Sequence, residues 1–243
     1  MTSPYVAQLR TELGLSLRQG EQVLVSIGIP LLILVFFSLV DVLPTPEGVD
    51  DPVDFLAPGV LALAIMSTAM VSLGIGTGFE RQYGVLKRLG STPLGRPRWI
   101  AAKISMVASI EVIQIVVLVA VAVALGWRPD GPIVLALPAF ALGTAAFAGI
   151  GLLMAGTLRG TATLALANGA YLVLLLLGGM VIPLGDLPSA VRAVAELLPA
   201  AALSETVNGA LTEGADASAE AWVVLTVWAI AAPAAAARWF RWE

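Results

Sequence analysis

FERQYGVLKRLGSTPLGRPRW, residues 79–99, lies between two long apolar runs and carries Arg81, Lys87, Arg88, Arg96 and Arg98, five of the 13 lysines and arginines. A short basic loop between two membrane spans stays cytoplasmic, because translocating its charges is costly. The stretch therefore predicts a polytopic helical membrane protein and sets its orientation. It also has more internal structure than a linker requires. Residues 80–89 form a helix-favouring half closed by Gly90, followed by Ser91-Thr92-Pro93 and a second break at Gly95 and Pro97. A helix held parallel to the inner membrane surface is suited to receiving a push from a soluble partner.

Composition agrees with this reading. The chain has 243 residues, 58% hydrophobic and only 12% charged, with mean hydropathy +0.92. In a soluble domain about a quarter of residues are charged. Six spans of about 20 residues use about half of the chain and leave no room for a soluble catalytic domain. Cysteine and histidine are both absent, which removes disulfides, thiol chemistry, Cys/His zinc sites and imidazole catalysis. The net charge of -4 reflects acids and bases segregated along the chain and points to no nucleic-acid partner.

The expected fold is all-α and forms a single transmembrane domain over residues 1–243. An interfacial helix over 1–20 begins it, with Tyr5, Val6, Leu9, Leu13 and Leu17 on one stripe and Gln8, Arg10, Thr11, Glu12 and Arg18 largely off it. A partly helical tail is the alternative. Spans are expected at about 23–40, 55–78, 100–125, 133–158, 160–182 and 221–237, the first read as a retained span rather than a signal peptide. The connection 41–54 holds five acids and no base and faces outward. Its Asp50, Asp51 and Asp54 read as a solvated acidic surface, with a divalent-cation contact as the alternative. Lys103 is placed to snorkel to the inner surface, and Trp127 to anchor at the outer interface. Gly143, Gly149, Gly151 and Gly156 read as a packing face. Residues 183–212 form two helices of about ten residues, too short to span, hence a re-entrant outer hairpin. Eleven bases fall inside against Arg128 and Arg192 outside, so both termini are expected in the cytoplasm and the protein in the plasma (inner) membrane.

No phosphate-binding G-x-x-x-x-G-K-[ST] loop occurs, so the chain is not an ATPase. Glu111 is costly inside a span and requires a partner, and Gln114 lies one turn along on a similar face. With Ser67 and Met70 they are candidates for a translocation path or for a buried polar contact, within the bundle or between subunits. A stand-alone secondary transporter or channel would favour several intramembrane charges or an internal repeat, and an intramembrane enzyme a catalytic cluster. Neither pattern is visible.

The run from Glu80 to Leu89, followed by Ser91-Thr92-Pro93-Leu94, resembles the E-R-x-x-G-T-L-x-x-L then T-P signature in the first cytoplasmic loop of ATP-binding cassette (ABC) type-2 exporter permeases, the class that includes daunorubicin-resistance-like proteins. Val85 stands where that family often has Thr. Gly178-Gly179-Met180-Val181-Ile182-Pro183, then Leu187-Pro188 and Leu198-Pro199, is similar to the family's glycine-to-proline segment and paired outer helices. The resemblance implies a permease that works with separate ABC ATPase subunits holding ATP and Mg, with a second permease, identical or not, and with membrane lipids. It implies a coupling role for Glu80, Arg81, Tyr83, Gly84, Leu86, Lys87, Arg88, Leu89, Thr92 and Pro93, with Tyr83 and Leu86 sharing a docking face and Gly84 allowing close approach. It implies an outer gate at Gly178, Gly179, Pro183 and Pro188. Aromatic residues are only 7%, which favours an amphiphilic drug-like or lipid-like substrate over a long sugar.

Overall fold

A computed structural model describes residues 3–18, 20–40, 51–90, 92, 94–129, 131–212 and 217–241, and among these all regular elements are helical. The acids at 41–50, Ser91, Pro93, the polar residues 213–216 and Trp242 lie outside the described residues. The elements are α1 (Pro4–Arg18), α2 (Gly20–Leu39), α3 (Pro52–Met66), a π-turn (Ser67–Ser72), α4 (Leu73–Gln82), α5 (Val85–Gly90), α6 (Arg96–Ala124), α7 (Leu137–Thr157), α8 (Gly160–Leu177), α9 (Ser189–Ala195), α10 (Pro199–Leu211) and α11 (Ala219–Trp239).

Five described helices are long and apolar enough to cross a membrane: Pro52–Gln82, Pro97–Ala124, Ile133–Thr157, Gly160–Leu177 and Ala219–Trp239. The other expected span falls in α2, a 20-residue helix whose apolar part, Ser26–Leu39, is shorter than these five. Strong apolarity and the near absence of charge make each of the five a helix, since lipid leaves backbone groups no other partner.

α7 lies at the centre, and glycines set how near its neighbours come. A Cβ at Gly149 would meet the Pro233 side chain of α11 at 2.6 Å, and one at Gly151 would meet the Met70 carbonyl oxygen at 2.7 Å. A Cβ at Gly143 would meet Leu203 of α10 at 2.7 Å, and one at Gly156 would run into the Phe240 ring. Small residues at such places let helix backbones approach closely, which is the main source of attraction between helices in lipid.

Several expectations are revised. The fifth span stops at Leu177 rather than near 182, because Gly178 ends α8 and Gly179 adopts φ +66°. The outer pair is unequal: α9 has seven mostly exposed residues, whereas α10 has 13 and packs among α3, α7, α8 and α11. Trp127 is 2% exposed, so it belongs to the core and is no interfacial anchor. The helix expected over 80–89 is two pieces. α4 ends at Gln82, Gly84 turns the chain with φ +72°, and α5 is six residues long.

Candidate functional site

The basic residues gather at one end of the bundle. There Arg81 donates from Nη1 to the carbonyl oxygens of Ala155 at 2.7 Å and Leu158 at 3.3 Å, Arg159 immediately precedes α8, and the Arg241 amide donates to the Gly156 carbonyl at 3.1 Å. The Trp99 and Phe240 rings meet at 5.6 Å. Arg128 and Arg192 are at the far end, next to the turns that border α7 and α9.

Within the loop the motif residues divide by job. Leu86 is fully buried in its own chain and Leu89 half-buried, so α5 is fastened to the bundle by its apolar side. This revises the expectation that Leu86 shares a docking face with Tyr83. Tyr83 is 69% exposed and stacks on Phe79 at 6.0 Å. Lys87 and Arg88 are exposed beside it. Gly84 takes a left-handed backbone conformation, φ +72°, that side-chain-bearing residues rarely adopt, and no atom of its own chain lies within 4 Å of a Cβ there. Arg81 turns inward to the carbonyl groups at the end of α7, where a cation satisfies acceptors that have no helical partner. Thr92 closes α5 by donating to the Leu89 carbonyl at 2.6 Å. Pro93 lies outside the described residues.

Beneath the loop is a buried ion cluster. Lys103 Nζ is 2.8 Å from Glu12 Oε2 and 2.5 Å from Glu80 Oε1, and Gln8 donates to the other Glu12 oxygen at 2.8 Å. Lys103 is 2% exposed, so it does not snorkel, and Glu12 is 6% exposed although it falls off the apolar stripe of α1. A buried ammonium is tolerated only when paired and hydrogen-bonded, and two carboxylates from different elements supply this. The cluster joins α1, α4 and α6 beside a cavity of about 430 Å³ that Ser16, Ser72 and Thr77 also line.

Deeper in the bundle, Glu111 is 5% exposed and accepts from Thr144 Oγ1 at 2.6 Å. Gln114, fully buried, accepts from Thr68 Oγ1 at 2.7 Å and donates to the Ser26 carbonyl at 2.9 Å. Glu111 and Gln114 thus serve different contacts, one to α7 and the other to the π-turn and α2. Ser67 is half-buried in that turn, and Met70 is buried where its backbone meets Gly151. At the opposite end from the loop, a Cβ on Gly178 would meet the Leu174 carbonyl at 2.5 Å, and the Gly179 carbonyl accepts from Ser204 Oγ at 3.1 Å. Pro183 is half-buried and opens a short 3-10 turn, while Pro188 is exposed and precedes α9.

Sequence reasoning missed Glu12, Lys103, Thr68 and Thr144 as partners. The signal for the first pair was charge balance: a lone lysine inside an apolar helix needs an acid, and Glu12 and Glu80 were the acids of the same end.

No curated protein matches the chain. The model of the ABC-2 type transporter family matches residues 6–211, from α1 through the loop and the central spans to the end of α10. That covers most of the 243 residues and includes every element that builds the loop, the ion cluster and the pair α9 and α10. The chain, a multi-pass membrane protein with a basic loop fixed to its central helix, belongs to the ABC-2 type transporter family.

Proposed function

We propose that this ABC transporter membrane component is the permease of an ATP-driven exporter. In this reading it is coupled through residues 79–99 to a separate ATPase subunit that binds ATP and Mg. It pairs with a second permease and passes an amphiphilic drug-like or lipid-like substrate. α2 completes six spans, both termini and the loop are cytoplasmic, and the membrane is the plasma (inner) membrane. The Gly178–Pro188 segment acts as the outer gate.

The observation that carries the reading is the mounting of the loop. Tyr83, Lys87 and Arg88 project outward from an element held by Leu86, by Arg81 on the end of α7 and by Glu80 on Lys103. A partner that pushes on the exposed side therefore moves α1, α4, α6 and α7 together, because a rigid contact network transmits displacement. α8, which exposes Leu166, Leu172, Val173 and Leu176, is available to lipid or to the second permease.

The test is copurification with a co-expressed ABC ATPase subunit from the same source, together with stimulated ATP hydrolysis at equal permease expression. Tyr83→Ala and the double Lys87→Ala, Arg88→Ala should lower stimulated hydrolysis several-fold while leaving the thermal melting of the permease unchanged. Normal copurification and hydrolysis in both would reduce the loop to a topology determinant. Orientation is read by thiol labelling, since the chain has no cysteine. Ala190→Cys should react from outside and Thr92→Cys only after the membrane is opened, and the reverse would invert the layout.

A further inference from the structure

Between α6, α7 and α11 runs a groove of about 470 Å³ that the transport reading does not use. Its walls are apolar: Ile100, Ile104 and Ala108 from α6, Ala145 and Leu152 from α7, and Pro233 from α11. Away from the Trp99 indole at the loop end, the polar side chain on the wall is Thr144, whose hydroxyl is committed to Glu111. Water gains little there, since a wet cavity needs several polar partners. Ile104, Ala108 and Ala145 are half-buried, so the groove is reachable from the side of the bundle.

Its length and its mouth are informative. The lining residues of α7 run from Ala141 to Leu152, roughly 16 Å at about 1.5 Å per residue. That is close to one leaflet, half of about 30 Å of hydrocarbon. At the loop end the groove reaches Trp99, Ala237 and Phe240. Arg238 follows Ala237, Arg241 follows Phe240, and both arginines are exposed.

We propose that this groove is a binding site for an anionic phospholipid of the leaflet at the loop end, with one acyl chain between α6, α7 and α11 and the phosphate on Arg238 and Arg241. Basic residues at the mouth of a pocket between spans recognise anionic headgroups, and the apolar walls accept the chain without a polar cost. Arginine suits the phosphate because its planar fork donates two parallel hydrogen bonds.

The experiment is native mass spectrometry of the delipidated permease, titrated with phosphatidylglycerol, with phosphatidylcholine of the same chains, and with glycerol phosphate. Phosphatidylglycerol should be retained preferentially, and Arg238→Gln and Arg241→Gln should each lower its retention by about fivefold while leaving phosphatidylcholine unchanged. Ala108→Leu, which fills the groove, should lower retention of both lipids, and thermal melting checks that it folds. The two exposed arginine variants keep the test valid if it does not. Equal retention of the two lipids, or arginine variants without effect, would overturn the site as merely annular lipid. Glycerol phosphate competing as well as the lipid would overturn the role of the groove. A dimer cross-linked through α6 and α11 would give the groove to a second copy and overturn the proposal as well.

Discussion

Arg81 donates from Nη1 to the backbone carbonyl of Ala155 at 2.7 Å, so the second residue of the loop motif terminates a helix 74 residues further along the chain. A charged donor on carbonyl groups at a helix end contributes about 1.5–3 kcal/mol. Arg81→Ala should therefore lower the melting temperature of the purified permease, and Arg81→Lys should recover only part of it, because the shorter lysine side chain does not carry its nitrogen to the place from which Nη1 reaches both Ala155 and Leu158. Equal melting of all three proteins would show that the contact adds nothing.

Lys103 holds two acids from different elements, and its loss leaves Glu12 and Glu80 facing each other without a cation. Removing one partner of a buried pair costs about 3–5 kcal/mol. Lys103→Met alone should unfold at much lower denaturant. The triple variant Lys103→Met, Glu12→Gln, Glu80→Gln should regain most of the difference. No recovery in the triple variant would mean that the lysine acts through packing of its stem rather than through charge.

Two glycines of neighbouring helices should answer substitution in opposite ways. At Gly151 a methyl group would press on backbone, 2.7 Å from the Met70 oxygen and 3.0 Å from that of Ala69, while at Gly76 nothing lies within 4 Å. Overpacking costs about 1–3 kcal/mol, whereas alanine in place of glycine inside a helix gains up to about 1 kcal/mol. Gly151→Ala should lower folded yield and melting temperature, and Gly76→Ala should hold or raise them. The same sign at both positions would contradict the packing described for α7.

Glu111 needs an acceptor oxygen more than a charge for the contact with Thr144. Glu111→Gln keeps that oxygen and should melt within about 1 kcal/mol of the parent, whereas Glu111→Leu strands a buried hydroxyl at about 1–3 kcal/mol. Transport by Glu111→Gln then reads any separate role of the carboxyl group. If Leu and Gln behave alike in both assays, the hydrogen bond is dispensable.

Most of the helical layout could be read from the sequence, because long apolar runs and a single basic loop leave few arrangements. Pairing across the bundle could not. Glu12 looked solvent-facing because helical periodicity ranks residues by polarity, and a buried ion pair is invisible to that ranking until Lys103 is placed opposite. Leu86 carried the same apolar signal whether it faced a partner or its own bundle, and only the turn at Gly84 decides between them. Trp127 departs from expectation for a related reason: aromatic residues near span ends are usually interfacial, and tertiary contacts override that tendency. The glycines of α7 were legible as a packing face, although not the helices they meet.

The π-turn at Ser67–Ser72 has a consequence for the reading frame of the second span. An i→i+5 turn holds one residue more than an α-helical turn, so everything beyond it is rotated by about 100° relative to an uninterrupted helix. The half before the turn packs on α2, α6 and α10 and touches α7, and the half after it packs on α7 and α8. One axis thus carries two independently chosen azimuths. Excision of a single residue from Ser67–Ser72, with no change in composition or length worth noticing, would turn Gly74, Gly78 and Arg81 off their partners as a unit.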